Sequence, residues 1–289
     1  MAIGFRLVYV NQSMIPTHQS DKTIRKEVIV NRLALLNAYD FGEPHRHAYF
    51  EFFYFKRGGG VHRIDFQEFP IVDHSIHIVA PGQVHQVERS LDSNGFVCLF
   101  ELDALSAMKE INAFLFNHVC FDVASIPPVY TFEQDPSSFA TSLSRQMEQL
   151  IDTDGPHRQL MIRAALHGLC LACMDLRGDQ NLETEGGVYA EFRHALFQHF
   201  RSLKKVKEYA DLLCISEKSL NEHVRRHVGK NASEVIYDQI ILEAKRLLLT
   251  GLSAKQTAYD LNFDDPGHFS KFFKNKVGIA PSAFRNVHD

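Results

Sequence analysis

One pattern is written twice near the end of the chain. Ala210-Asp211-Leu212-Leu213-Cys214-Ile215-Ser216, followed by Leu220, Val224 and Gly229, is matched by Ala258-Tyr259-Asp260-Leu261-Asn262-Phe263-Asp264, followed by Phe269, Phe273 and Gly278. The later landmarks lie 49 residues apart in each case. A repeat of this size is a supersecondary unit, and it fixes the architecture of whatever contains it. Each copy reads as a helix-turn-helix. A small alanine on the first helix admits close crossing, Leu213 with Ile215 or Leu261 with Phe263 fills the angle, and Leu220/Val224 or Phe269/Phe273 face inward at i and i+4. Ser216 caps the second helix of the first unit, and Asp264 or Asp265 before Pro266 caps that of the second; Gly229 and Gly278 end them.

In such a unit the second helix enters the DNA major groove and presents its exposed N-terminal residues to base edges. Those positions are Lys218, Ser219, Asn221, Glu222 and Arg225 in the first unit, and Gly267, His268, Ser270, Lys271 and Lys274 in the second. Asn221 suits adenine and Lys271 guanine, whereas Arg225, Arg226, Lys274 and Lys276 suit phosphates. Glu222 tolerates this setting by accepting from a cytosine amino group. Residues 233–249 between the units form a helix of roughly 25 Å, and major grooves on one face of DNA recur every ~34 Å, so one monomer can reach two adjacent turns. The competing reading of the repeat is a helical bundle that binds protein.

Charge follows the same division. The chain of 289 residues carries a net charge of -4, but residues 187–289 hold 16 Lys+Arg against 12 Asp+Glu, while residues 1–186 hold 15 against 23. The basic C-terminal part is the part suited to an anionic partner. Five scattered cysteines (Cys98, Cys120, Cys170, Cys173, Cys214) and no basic-then-apolar N-terminal stretch point to a reducing cytoplasm. Charged residues interrupt even the richest apolar segment, 160–176, so no membrane helix is expected. Cys170-x2-Cys173 lies in an apolar run without a second pair and reads as buried small residues rather than a redox or zinc site.

The first half has another texture. Aromatic and β-branched segments at 45–55, 61–66, 75–79 and 95–100, divided by Gly58-Gly59-Gly60 and Pro81-Gly82, predict an antiparallel barrel or sandwich. Apolar spacing in 138–151 (Leu143, Met147, Leu150) and 157–176 (Leu160, Ala164, Leu169) predicts a helical pair, and the polar, acidic 178–187 predicts a linker. The expected protein is therefore α+β in two domains. Residues 1–177 hold an antiparallel β-barrel (30–101) with helices (137–176), and 188–289 form an all-α domain of two helix-turn-helix units joined by a linker helix.

Residues 190–287 resemble the DNA-binding domain of the AraC/XylS family. The matching stretches are Glu243-Ala244-Lys245-Arg246-Leu247-Leu248, Thr257-Ala258-Tyr259-Asp260-Leu261-Asn262-Phe263, Phe269-Ser270-Lys271-Phe272-Phe273-Lys274 and Gly278-Ile279-Ala280-Pro281-Ser282-Ala283-Phe284-Arg285. The family often has glycine where this chain has Cys214 and Asn262. The resemblance implies a transcription regulator, commonly an activator, that binds promoter DNA, senses a small-molecule effector, works with RNA polymerase and dimerises. Leu143, Met147 and Leu150 form either the dimer seam or a packing face on the barrel.

His45-x-His47-x3-Glu51-x6-Gly58, with Pro81-Gly82-x2-His85 downstream, resembles the two motifs of the cupin barrel, although the glycines expected before His45 and before Pro81 are missing. Strand alternation puts His45, His47, Tyr49 and Glu51 on one face. Three readings stand. The face lines an effector pocket formed by His45, His47, Tyr49, Glu51 and His85 with no cofactor required; His45, His47, Glu51 and His85 hold a divalent metal such as Fe, Mn, Ni or Zn; or the cluster is structural. Ten of the 16 histidines precede residue 187, most of them expected at the surface or in packing. The rival function from another class is a cupin metalloenzyme, a dioxygenase or isomerase with a helical appendage, which leaves the 49-residue repeat unexplained.

Overall fold

The computed structural model describes residues 17–18, 27–33, 44–105, 109–115, 127–133, 135, 138–177 and 187–288. The chain divides into two compact units, one reaching Leu182 and the other running from Glu183 to Asp289. Residues 178–186 of the expected linker lie outside the described residues.

The first unit contains β1 (Thr17–His18), β2 (Ile29–Leu33), β3 (Arg46–His47), β4 (Phe50–Arg57), β5 (Gly60–Ile64), β6 (Gln67–Pro70), β7 (Ser75–Val79), β8 (His85–Arg89), β9 (Asn94–Phe100) and β10 (Val129–Thr131). Strands β10-β7-β4-β9-β2 form one antiparallel sheet and β6-β5-β8 another, while β1 and β3 make a short parallel pair. Among the described residues the strands do not close into the expected barrel; two sheets face one another as a sandwich. The expected continuous strand over 45–55 is broken at Ala48–Tyr49.

Strand β4 is buried along both faces over its first six residues, because each face has a partner. Phe53 and Phe55 point between the sheets, into a core with Leu33, Ile64, Ile71, Val79, Val87, Val97 and Leu99. The alternate residues Phe52 and Tyr54 point outward beside Cys98 and Phe96. That outer face is covered by helices. Gly95 of β9 sits where a Cβ would come within 1.9 Å of the Tyr54 carbonyl oxygen, so only glycine lets these strands pair.

The covering helices are α2 (Phe139–Ile151) and α3 (Arg158–Arg177), which follow the short α1 (Lys109–Phe114). Ser138 accepts from the Thr141 amide as the N-cap of α2. Gly168 of α3 allows close approach, since a Cβ there would meet Leu143 Cδ1 at 2.4 Å. Leu143, Met147 and Leu150 are buried within the unit, in agreement with the packing alternative of the two expected for them. The outward face of α3 instead shows Leu160, Met161 and Leu171. Residues Arg158–Leu176 are long and apolar enough by length and composition to cross a membrane, with mean hydropathy 1.3. In this fold Ile162, Leu166, Leu169, Cys170 and Cys173 turn one side of that helix inward. Both cysteines of the pair are buried thiols, and burial pushes Cys170 up to about 12.

The second unit is helical: α4 (Val188–His199), α5 (Val206–Leu212), α6 (Glu217–Val228), α7 (Ala232–Leu249), α8 (Ala254–Asp260), α9 (Pro266–Val277) and α10 (Pro281–His288). Helices α5 and α6 repeat as α8 and α9, with α7 between them. The first helices are offset by 48 residues (206 to 254) and the second by 49 (217 to 266). The extra residue falls in the second turn, where Asp264-Asp265 stands against Ser216 alone. Both turns pass through the left-handed region at matching positions, Cys214 with φ 55° and Asn262 with φ 52°. Asparagine accepts that conformation readily and cysteine less so, yet the geometry is the same in both copies.

Candidate functional site

The two second helices of the repeat are built alike from sequence upward. Ser216 Oγ accepts the Ser219 amide at 3.1 Å, and Gly229 ends α6 with φ 69°. In the second copy Asp265 accepts the amides of Gly267 and His268 at 3.0 and 2.9 Å, Pro266 opens the helix, and Gly278 ends it with φ 90°. Those two amides hold the Asp265 carboxyl below the usual carboxylate range. Leu220 and Val224, like Phe269 and Phe273, are the buried anchors, so each helix keeps one free face.

On those faces Lys218, Glu222, Arg225, Arg226, Gly267, His268, Lys271 and Lys274 are exposed, while Ser219, Asn221 and Ser270 are half-buried. The Lys218 ammonium lies 3.9 Å from Glu222, a loose pair on the surface. Asn221, the position expected to meet adenine, makes two local hydrogen bonds. Its Nδ2 donates to the Glu217 carbonyl at 3.0 Å and its Oδ1 accepts the Ala232 amide at 2.9 Å, so the carboxamide locks α6 to the start of α7. Ser270 Oγ likewise donates to the Pro266 carbonyl. Lys276 stands over the Tyr237 ring at 5.2 Å, which draws it toward α7.

The two helix-turn-helix units are tied together by polar contacts as well as by α7. Arg201 spans Glu243 of α7 and Asp260 of α8, and Lys204 donates to the Asn262 carbonyl while lying 3.9 Å from the centre of the Phe263 ring. Glu243, from the Glu243-Ala244-Lys245-Arg246 stretch, also lies 3.7 Å from Arg246, and both are buried.

The N-terminal unit holds a second constellation between its sheets. His47 Nε2 lies 3.0 Å from His85 Nε2 and 3.3 Å from Glu51 Oε2, and His85 Nε2 lies 3.5 Å from the same oxygen. His47, Glu51 and His85 are 1, 2 and 2% exposed. Strand β4 carries Glu51, β3 carries His47, and β8 carries His85. The backbones of His45 and His85 pair in both directions, at 2.9 and 2.8 Å, which brings β8 alongside the His45–His47 segment. The His45 ring leans on His85, with centroids 4.2 Å apart, but His45 is not among the three residues whose donor atoms converge. Tyr49 stacks on His47 at 4.3 Å, and its carbonyl lies 2.6 Å from His47 Nδ1.

Two further histidines belong to this cluster and were not singled out from sequence. His62 Nε2 lies 3.2 Å from His85 Nδ1, and His62 Nδ1 lies 3.2 Å from His77 Nδ1. Burial holds His77 down to about 3, and burial with the neighbouring His77, His45 and His47 holds His62 well below its ordinary value, so both rings are neutral near pH 7. The signal that marks them is strand parity. His77 is the centre of a strand legible in sequence, and His62 alternates with the inward Ile64. A separate polar hollow of about 250 Å³ lies outside the sandwich, lined by Tyr54, Lys56, His74, Ser144, Arg145 and Glu148 among others.

Twin helix-turn-helix units with exposed basic second helices define a DNA-binding protein of the helix-turn-helix class. The chain matches the AraC-like ligand binding domain over residues 34–170 and the Helix-turn-helix domain over residues 209–286. It is 21% identical over 253 residues to the uncharacterized HTH-type transcriptional regulator YfiF of Bacillus subtilis, covering 84% of this chain and 79% of that one. It is also 21% identical to the HTH-type transcriptional activator RhaS of an Enterobacter species, covering 85% of this chain and 88% of the relative. Among solved structures, ToxT from Vibrio cholerae aligns over 90% of this chain and 98% of its own, with 13% identity and a TM-score of 0.42. The chain belongs to the AraC family of helix-turn-helix transcription regulators.

Proposed function

We propose that the protein is an effector-responsive activator whose α6 and α9 read two adjacent major-groove segments of promoter DNA from one monomer. It is not an enzyme. It acts in the cytoplasm as a homodimer, without membrane attachment, and recruits RNA polymerase. The observation that carries the reading is the pair of equally long second helices, both capped and both exposing basic residues, joined rigidly through α7. The name of the RhaS relative as an activator supports activation over repression. Lys271 contacts a base edge, Arg225, Arg226 and Lys274 hold phosphates, and Lys218, Glu222, Gly267 and His268 line the groove. The ligand of the N-terminal unit is held at the cluster of His45, His47, Tyr49, Glu51 and His85. A metalloenzyme reading of that cluster gives no role to the second unit.

The test is binding of the full chain to promoter DNA from beside its own gene at two salt concentrations. Selective binding that weakens with salt is expected. Lys271→Ala should cost about 1–3 kcal/mol and relax preference at one base pair, whereas Lys274→Ala should weaken all sequences alike and lower the salt slope by about 1. Equal affinity for promoter and unrelated DNA would sink the reading.

A further inference from the structure

The hollow on the outer face of the first unit is walled by a helix and a strand, away from the histidine cluster. Helix α2 carries Thr141, Ser144, Arg145 and Glu148 at i, i+3, i+4 and i+7, which sets all four along one polar stripe beside the buried Leu143 and Met147. Strand parity turns Tyr54 of β4 toward the same space, and Lys56 and His74 extend the wall around about 250 Å³. Every residue that lines it is polar or titratable. From this arrangement we infer a binding site for a small polyhydroxylated carboxylate, held by Arg145 at the rim and by hydroxyl groups at the floor. The site goes beyond the proposed function, since it is separate from the cluster between the sheets and takes its ligand whether or not the chain reads DNA.

The floor consists of hydroxyls already set in place. Tyr54 is 4% exposed and Ser144 2%. Ser144 Oγ donates to the Ala140 carbonyl at 2.9 Å, and Tyr54 Oη lies 3.0 Å from His74 Nδ1. Burial, outweighing a hydrogen bond with Ser144 that acts the other way, raises the Tyr54 phenol above its ordinary value, so it presents a neutral O–H group near pH 7. His74 holds φ 54°, and its carbonyl accepts the Phe132 amide at 3.0 Å, which pins the backbone that carries the ring. With Nδ1 engaged, Nε2 is the ring atom left to a ligand. Thr141 Oγ1 accepts from Ser138 at 2.8 Å and keeps its own hydrogen to donate. Hydroxyls with one fixed partner and a remaining valence are what the hydroxyl groups of a ligand require.

Charge selects an acid over a neutral polyol. Lys56 Nζ is spent on Glu148, 3.0 and 3.3 Å from its two carboxylate oxygens. The remaining rim carboxylate, Asp135, is exposed and has an interaction of its own. Arg145 has no hydrogen-bond or ion-pair partner among the described residues. Its guanidinium offers parallel N–H donors that match a carboxylate in two places at once. Size limits the ligand further. A cavity on the order of 150 Å³ holds one benzene, so about 250 Å³ holds roughly ten non-hydrogen atoms, close to a five-carbon aldonate. An apolar ligand of that size finds no aliphatic side chain on the wall.

The experiment titrates the full chain with D-threonate, D-xylonate and D-gluconate by isothermal titration calorimetry, with xylitol and acetate as probes of the two halves of the recognition. Expected is one site per chain for at least one aldonate, with Kd below about 1 mM and with xylitol and acetate each at least 10-fold weaker, roughly the worth of one good hydrogen bond. Arg145→Ala should weaken that aldonate by roughly 10- to 100-fold, the worth of a hydrogen bond to a charged group, and Tyr54→Phe by about 2- to 10-fold, that of a neutral one. Failure of all three aldonates to bind overturns the inference, as does undiminished binding in R145A or xylitol binding as tightly as xylonate. Arg145 is exposed, so R145A keeps its fold; should Y54F fail to fold by circular dichroism, R145A and the wild-type preference for acid over polyol decide. Promoter binding is scored on the same samples: chains that take up an aldonate and ignore DNA overturn only the regulator, and chains that bind DNA but no aldonate overturn only this site.

Discussion

Arg201 Nη2 lies 2.6 Å from Glu243 Oε1, and the other guanidinium nitrogen, Nη1, lies 2.9 Å from Asp260. One side chain from the segment after α4 thus joins the linker helix to the first helix of the second reader. That joint ties the second helix-turn-helix unit to α7 through a side chain as well as through the backbone. Glu243 is buried beside Arg246. Removing one partner from a buried charged group costs roughly 3–5 kcal/mol, because the remaining charge loses its compensation in a poorly solvated place. Glu243→Ala is therefore expected to lower the unfolding free energy of the C-terminal unit by that order. Chemical denaturation of the full chain, followed by helical circular dichroism, checks it; a change under about 0.5 kcal/mol, the size of a surface substitution, would remove Glu243 from this role.

Asn221 separates folding from reading. Its Oδ1 takes the first amide of α7, and its Nδ2 is already bonded to the Glu217 carbonyl. Asn221→Ala should cost about 1–3 kcal/mol of stability by leaving a half-buried amide unsatisfied, and should lower promoter and non-specific affinity together. Selective loss at one A·T pair, with Tm unchanged, would return Asn221 to the base-reading set.

The double helix-turn-helix was legible in sequence almost residue by residue, because caps, turn positions and inward anchors are local signals that the chain states twice. Ser216, Gly229, Asp265, Pro266 and Gly278 all occupy the ends expected of them. The contact of Asn221 with the Ala232 amide was not legible, because helical periodicity shows which face a residue occupies and not which neighbouring helix start falls within its reach. In the first unit alternation put His47 and Glu51 inward correctly. The break at Ala48–Tyr49, the place of His45 outside the three converging donors and the arrival of His62 and His77 depend on pairings between distant strands, which no local pattern encodes.

Exposed residues on α3 carry the dimer expectation now that Leu143, Met147 and Leu150 are accounted for inside the unit. Leu160 and Leu171 stand outward, three turns apart, with Ala164 exposed and His167 half-buried between them. If this stripe is the homodimer seam, Leu160→Glu with Leu171→Glu should raise the dimer dissociation constant at least 100-fold, about 2.7 kcal/mol, with little change in Tm of the monomer. Sedimentation velocity across a concentration series reads this directly, and an unaltered dimer would place the seam elsewhere.

His77 gives the N-terminal unit an acid limit whose sign can be worked out. An unfolded histidine takes up its proton near pH 6.5, whereas His77 in the sandwich does so only at about 3 because burial disfavours the charged ring. Between those values the unfolded chain holds one proton more than the folded one, so stability rises with pH across the window. The contribution is complete above 6.5 and is lost as pH falls toward 3, with a limiting slope of roughly 1.4 kcal/mol per pH unit for this group. His62, stacked on His77 at 5.3 Å and shifted the same way, adds to the slope, while the Phe55 ring on the other side does not titrate. His77→Phe keeps the ring and removes one titrating group, so its stability should fall less steeply than wild type between pH 6 and 4. Urea unfolding of the chelator-treated chain at half-unit pH steps measures both slopes, and parallel curves would mean that His77 is protonated in the fold at the same pH as in the unfolded chain.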